Sequence, residues 1–380
     1  MAGGGSRPVD HLRRIRLVGR RSAVLRGQHN LDEVRYEHFG DAAVAFEAFK
    51  AGLISVWREP SAARWADSYD FPAVTEGRVE RIEIPHQRPS GMNGFVFNTR
   101  RALFADWRVR DALIHAFDFE QVNATINAGT EPRIASYFGN SALGMGDGPA
   151  SEPVRALLAP YMDALPPDTL DAYALPVSDG RANRRNLRIA RARLNEAGWQ
   201  ADDRGVLRNA QGEAFAFEIL LRQGQALELA IANTYVSQLE SLGISATISV
   251  VDNAQYVERT NAFDFDMTTI LRLMSLSPGN EQTLYWARSG VDQPGSRNLA
   301  GVNEPAVDAM ITTMLSAQDP QDFRAAVQAL DRLLMTGRYA VPFWFSPVSR
   351  LAVTNGLHFS NQLPIYGDWT GFLPEVWWQE

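Results

Sequence analysis

The chain has 380 residues, with 37 basic and 44 acidic side chains, 45% apolar residues and no cysteine. That length accommodates two or three domains and a large core. A net charge of −7 argues against nucleic-acid binding, where affinity rests on phosphate neutralisation, and the lack of cysteine excludes a thiol nucleophile, a disulfide scaffold and a thiolate metal site.

Residues 1–25 stand apart, with six arginines and one acid. They hold no apolar stretch of roughly 7–15 residues and no cleavage pattern, so they do not read as a secretory signal. A basic tail, an amphipathic targeting segment and a segment read out of frame stay open as alternatives. No later run approaches the roughly 18 consecutive apolar residues of a membrane-spanning helix.

From about residue 30 the pattern is α/β. Glu33 to Phe39 alternates apolar and polar residues and predicts a strand. Asp41 can cap a helix that carries Val44, Phe46, Ala48 and Phe49 and ends at Gly52. Met92 to Phe97 predicts a second strand. Asp106 opens a helix with Val109, Leu113, Ala116 and Phe117 on one face. Residues 139–186 are rich in Gly, Pro, Ser and Asp and read as a long surface excursion. Asn186 is then expected to cap a helix running to Gly198. Strands around Phe215 to Leu221 and Ile244 to Val250 flank a helix from Leu227 to Leu242, closed by Gly243. Helices over 305–317 and 320–336 precede a late aromatic strand, Val341 to Phe345. No internal repeat is visible, and the interleaving of strands and helices points to α/β lobes.

Catalytic chemistry is sparse. His11, His29, His38, His86, His115 and His358 show no metal-ligand spacing. His115 sits among apolar neighbours and reads as a packed histidine more readily than a base. There is no nucleophile elbow and no phosphate loop, and Gly144 to Gly148 reads as a turn. Asp264 and Asp266 could pair on a metal or a proton, or lie on a strand's polar face with Phe263 and Phe265 inward. Asn123-Ala124-Thr125 is a formal glycosylation sequon. Trp57, Trp65, Trp286, Trp344, Trp369, Trp377 and Trp378 lie outside helical stripes and suit the walls of a ligand cleft or the caps of a core.

Several segments resemble periplasmic peptide-binding proteins of ABC importers, solute-binding family 5. FNTRRALFADWRVRDALIHAFDFE (97–120) carries the family's strand-closing Asn98, then Phe104 and Asp106. Its helix follows with Arg108, Val109, Arg110, Ala112, Leu113, Ala116 and Asp118. AFEAFKAG (45–52), ARARLNEAGW (190–199), GVLRNAQGEAFAFEILL (205–221), LESLGISATISVVDNAQY (239–256) and PGSRNLAGVNEPAVDAMI (294–311) are similar to further family segments. REPSAARWADSYDFPAV (58–74) and SLSPGNEQ (275–282) look most like the YejA-type branch.

The resemblance implies an α/β, periplasmic-binding-protein-like fold (type II, cluster C). It divides the chain into a non-family segment at 1–23, a first-lobe remnant at 24–97, a second lobe at 98–348 and a return to the first lobe at 349–380. Its front lies downstream of where family chains begin. Under G+C-rich codon choices, which the single lysine Lys50 against 36 arginines favours, residues 10–23 read one base later resemble the family. The expectation is a C-terminal part of a longer binding protein with residues 1–23 out of frame; a non-functional fragment and, more remotely, a hydrolase are the alternatives. The implied parent is periplasmic, monomeric and without cofactor or metal; a chain without a signal peptide would stay in the cytoplasm. Its implied partners are a short peptide and ABC permease subunits with their ATPase. Arg58, Glu59, Trp65, Arg272, Ser275, Asn280, Glu281 and Trp344 are the expected cleft residues, an arginine suiting the peptide carboxylate. Dipeptide and oligopeptide members hold the ligand's ammonium with an Asp nine residues after a strand acid; nine on from Asp266 stands Ser275. Amine anchoring therefore falls to Glu59 or Glu281, or is absent.

Overall fold

The computed structural model describes residues 10–13, 26–39, 42–166, 168–178, 180, 183–368 and 375–380. Asp41 and Trp369 lie outside them, as does most of the segment 1–23. Two compact units are present. One joins the residues up to Arg88 with those from Ser346, and the other is Pro89–Phe345. The second unit thus starts ahead of residue 98, because Met92–Phe97 is a strand of its own sheet.

The first unit is built on an antiparallel sheet ordered Val56–Glu59, Val348–Thr354, Val79–Pro85. Side chains alternate between its faces. Ala352 faces an aromatic cluster of Phe46, Phe49, Trp65, Tyr69 and Phe71, while Leu351 and Val353 pack with Ile84 and Trp377. Helix Ala42–Lys50 supplies Phe46 and Phe49, and Gly52 closes it so that the Leu53 N–H reaches the Ala48 carbonyl at 3.0 Å. The early strand is Glu33–Tyr36, paired antiparallel with Asp10–Arg13.

The second unit has a five-stranded sheet ordered Ala340–Pro342, Met92–Phe97, Met267–Arg272, Ala216–Arg222, Ser245–Val251. The first two pairings are antiparallel and the last two parallel. Phe95, Phe97, Met267, Phe217 and Ile219 pack against helices Trp107–Ala116, Arg184–Glu196 and Ala226–Glu240. Met92, Val96 and Ile270 pack on the other face against Pro305–Ser316 and Pro320–Thr336. Apolar side chains on both faces are what a sheet between two helical layers needs. Gly94 is required at the sheet's centre: a Cβ there would run into the Val341 carbonyl of the neighbouring strand.

Three local expectations change. Among its described residues, the segment 139–186 is only in part a surface excursion. It contains helix Glu152–Leu158, and Leu143, Ala150, Val154, Leu158 and Leu165 enter the core. Irregular backbone can be buried here because two adjacent residues of helix Pro320–Thr336 satisfy it. Asp331 accepts from the Ser136 hydroxyl at 2.5 Å and from the Tyr137 and Met145 N–H groups at 2.7 and 2.8 Å. Arg332 donates to the carbonyls of Asp171 at 2.5 Å and Gly148 at 2.8 Å. The next helix begins at Arg184 with Asn183 as its N-cap, and Asn186 lies buried in its first turn, donating to the Asn183 side chain at 2.6 Å. The late strand is Ala340–Pro342, followed by an isolated bridge between Trp344 and Arg133.

Candidate functional site

The longest family-like segment is scaffold. The buried Asn98 amide donates to the Phe263 and Phe265 carbonyls at 3.0 and 2.8 Å. Asp106 caps its helix by accepting from the Arg108 N–H at 2.8 Å. Buried Arg110 donates to the carbonyls of Phe104 at 2.6 Å and Gly337 at 2.7 Å. Each group closes backbone that helix and sheet leave open.

The other chemical candidates are engaged as well. Asp264 accepts from Arg101 and Arg259, and Asp266 pairs with Arg101 and accepts the Glu218 N–H. Phe263 and Phe265 do point inward. These residues precede the strand, which starts at Met267. His115 Nδ1 donates to the Asp111 carbonyl at 2.9 Å. Among the described residues no group of histidines and carboxylates could hold a metal, and no helix is long and apolar enough to cross a membrane.

The expected cleft residues divide between the units. In the first, Glu59 is 2% exposed and its carboxylate is enclosed. It accepts from the Trp57 indole at 3.1 Å, the Ser61 N–H at 2.8 Å and the Tyr69 hydroxyl at 3.1 Å. Burial, then the Glu59 charge, pushes the Tyr69 hydroxyl far above its ordinary value. The buried Trp65 donates its indole N–H to Glu83 at 2.7 Å and lies under the Arg81 guanidinium. Half-exposed Arg58 pairs with Asp368 at 2.6 Å. Burial alone would raise the Asp368 carboxyl, but the Ser349 hydroxyl, Arg58 and Arg88 outweigh it and hold it low.

In the second unit four candidates fall on one stretch, from the end of strand Met267–Arg272 into helix Glu281–Trp286. Arg272 is the chemical centre. Its Nη1 donates to the Leu271 carbonyl at 3.1 Å and its Nη2 to the Arg297 carbonyl at 2.9 Å. Each of these nitrogens carries two hydrogens, so each keeps one for another acceptor. The guanidinium carbon lies 5.0 Å from the centre of the Tyr285 ring. Burial pushes the guanidinium below its ordinary value, and no carboxylate among the described residues pairs with it. Gly91 fixes the arginine's backbone from behind: at φ 65° it packs on the Arg272 carbonyl where no Cβ fits.

Met274 and Trp286 of this stretch are buried in the core, and its other candidates are polar or exposed. The Ser275 hydroxyl accepts from the Ser277 N–H at 3.2 Å. Asn280 is exposed and accepts from the Thr283 hydroxyl at 3.4 Å. Glu281 accepts from the Gly279 N–H at 2.9 Å and the Gln282 amide at 3.2 Å. Leu273 and Leu284 stand 65% and 55% exposed on the same stretch. Trp344, half-buried, stacks on Phe343 with ring centres 5.8 Å apart and is separate from these in sequence. Sequence reasoning missed Tyr285 and Arg297, the ring and carbonyl that orient Arg272. Nothing in either residue's own neighbourhood marks it as a partner of Arg272.

The chain is a member of a solute-binding family: residues 17–294 match the model for bacterial extracellular solute-binding proteins, family 5. It is 39% identical over 358 residues to an uncharacterized protein, y4wM, of Sinorhizobium fredii, covering 93% of this chain and 53% of that one. It is 38% identical over 374 residues to the probable peptide-binding protein YejA of Agrobacterium fabrum, covering 97% of this chain and 60% of the relative. The chain therefore spans between about half and three-fifths of the length of these relatives. Its fold matches that of the oligopeptide-binding protein AppA of Bacillus subtilis, solved with a nonapeptide. There the TM-score is 0.67 at 19% identity, over 92% of this chain and 61% of that one.

Proposed function

We propose that this chain is part of the substrate-binding subunit of an ABC importer, capturing short peptides outside the plasma membrane and delivering them to a permease. It acts by binding without covalent chemistry, as a monomer. The observation that carries this reading is Arg272. A half-buried guanidinium with an unused N–H on each terminal nitrogen, lying over Tyr285 and paired with no carboxylate among the described residues, suits a peptide's terminal carboxylate. Ser275 and Asn280 line the same stretch as polar contacts, and Trp344 serves as an apolar wall. Glu59 and Glu281 already accept protein donors, so the ligand's amino end is held without a dedicated carboxylate. In this reading Glu59 and Trp65 shape the first unit, and Arg58 is its polar edge. The peptide-binding relatives support the ligand class.

Calorimetry tests it, on the protein extended to its relatives' length. Arg272→Ala is expected to weaken binding of a short peptide by roughly 1.5–3 kcal/mol, the worth of hydrogen bonds to a charged group. It should barely affect the same peptide with an amidated C-terminus, and acetylating the amino end should leave affinity nearly unchanged. Equal loss for the free and amidated peptides would show that Arg272 does not hold the carboxylate.

A further inference from the structure

Helix Arg184–Glu196 has an unusual charge distribution. Its sequence, RRNLRIARARLNE, holds five arginines and one glutamate, a formal +4 within a chain of −7. Asn186, Ala190 and Leu194 form its buried face against the core. At roughly 100° per residue, Arg184, Arg185, Arg188 and Arg191 fall within an arc of about 120° on the opposite side. All four are exposed, and the other residues in that arc are Ala192 and Asn195. Only Arg193 points elsewhere, pairing with Asp111 at 3.2 Å and Glu196 at 3.1 Å. Among the described residues, no carboxylate pairs with any of the four.

The stripe works against the helix that carries it. Arg184 and Arg185 sit in the first turn, which has no acidic residue, at the positive end of the helix dipole. Arg184 and Arg188 are like charges one turn apart, as are Arg188 and Arg191. The N-cap Asn183 side chain accepts from the Asn186 amide at 2.6 Å and from no backbone N–H of the first turn, while its own amide donates to the His115 carbonyl at 3.0 Å. Arg191 spends one N–H on the Ser241 carbonyl at 2.8 Å; the other local rules are broken together on an exposed face and mark a surface kept for another purpose.

We propose that this arc is a docking surface for the phosphates of anionic phospholipid headgroups. Charge complementarity selects the partner. Guanidinium forks match phosphate oxygens two at a time. The four span about 10 Å along the helix, a scale over which lipid headgroups can rearrange to meet them. A protein partner would be expected to bury an apolar or aromatic anchor at the centre of the patch. The centre here holds Arg188 and Ala192 and no such anchor. The proposal is independent of the ligand reading, because none of these residues belongs to the Arg272 stretch.

Co-sedimentation of the full chain with vesicles tests it. Vesicles with a third phosphatidylglycerol in phosphatidylcholine are expected to bind the chain roughly a hundredfold more strongly than pure phosphatidylcholine at low salt, with release at high salt. Replacing the four arginines with glutamine should abolish that preference and leave the chain folded, relief of like-charge repulsion offsetting loss of the Arg191 bond to the Ser241 carbonyl. Arg188→Gln alone should reduce it about fivefold. The control Arg204→Gln, Arg222→Gln should leave it intact. Equal binding to both vesicle types, a fourfold variant that binds like the parent, or capture by immobilised polyglutamate without capture by phosphatidylglycerol would overturn the proposal.

Discussion

Two stretches of the second unit, 136–171 and 272–286, both send side chains into the same core and differ in how their polar groups are met. The first is pulled into the core, and its backbone is met by Asp331 and Arg332. The second keeps two leucines in water and an arginine with donors to spare. Irregular backbone therefore says little about function by itself. What separates the two is whether polar groups are matched inside the protein or left for something outside it.

The sharpest test of that contrast is stability. Asp331→Ala leaves a hydroxyl and two backbone N–H groups without their acceptor, and should lower the unfolding free energy by about 3 kcal/mol. Arg272→Ala should change it by less than about 1 kcal/mol. Urea denaturation of both variants measures the difference. Similar losses would mean that the 272–286 stretch is also structural.

Proton linkage gives a second handle. Burial, against the opposing hydrogen bonds from Ser136, Met145 and Tyr137, pushes the Asp331 carboxyl up to about 6. The folded state then holds its proton more tightly than the unfolded one. The Asp331 contribution favours folding below the ordinary carboxylate value and is lost as pH rises through about 6. Between pH 4.5 and 7 the protein should lose about 2 kcal/mol from this site, and Asp331→Asn should lack that slope. His86 in the first unit has the opposite sign. Burial and then Arg88 depress it to about 4, so its contribution is present above the ordinary histidine value and fades as pH falls toward 4. Acidification should thus favour the second unit and disfavour the first, and hydrogen exchange at pH 7 and pH 5 should show protection moving in opposite directions.

A smaller effect probes the support behind Arg272. Gly91→Ala forces a left-handed φ on a residue with a Cβ and drives that carbon into the Arg272 carbonyl. Destabilisation by about 2 kcal/mol is expected, with peptide affinity falling further than stability alone accounts for. Unchanged affinity in the folded variant would show that the Arg272 backbone does not position its side chain for the ligand.

Much of the fold was legible because its elements announce themselves locally. The alternation at Phe215, Phe217, Ile219 and Leu221, the cap at Asp106 and the glycine at 52 each reflect forces acting within a few residues. The excursion at 139–186 was misread because the groups that bury it are remote: Asp331 is 195 residues from Ser136 and 186 from Met145. No local pattern distinguishes a loop that will find such partners from one that will not. Asn186 shows a finer failure, since Asn183, three residues earlier, occupies the cap. At the candidate site, arginine chemistry pointed to Arg272, but its setting depends on Tyr285 and Arg297, which the strand-to-helix turn brings near. Glu59 carries the same charge logic as an amine anchor, and only packing reveals that Trp57, Ser61 and Tyr69 surround it.

The order in which the chain is made gives buried Asp331 and Arg332 a further consequence. Strand Met92–Phe97 pairs with strand Ala340–Pro342, and the 136–171 stretch is held by helix Pro320–Thr336. Nearly 250 residues must leave the ribosome between the first of these strands and the last. At roughly 5–20 residues per second, that is a wait of about 12–50 s. During that interval the Tyr137 and Met145 amides lack their native acceptor, and Phe95 and Val96 lack one neighbouring strand. The second unit is thus a high-contact-order body that completes late. A nascent chain stalled before residue 320 should remain protease-sensitive throughout 136–171 and become resistant once helix Pro320–Thr336 has emerged.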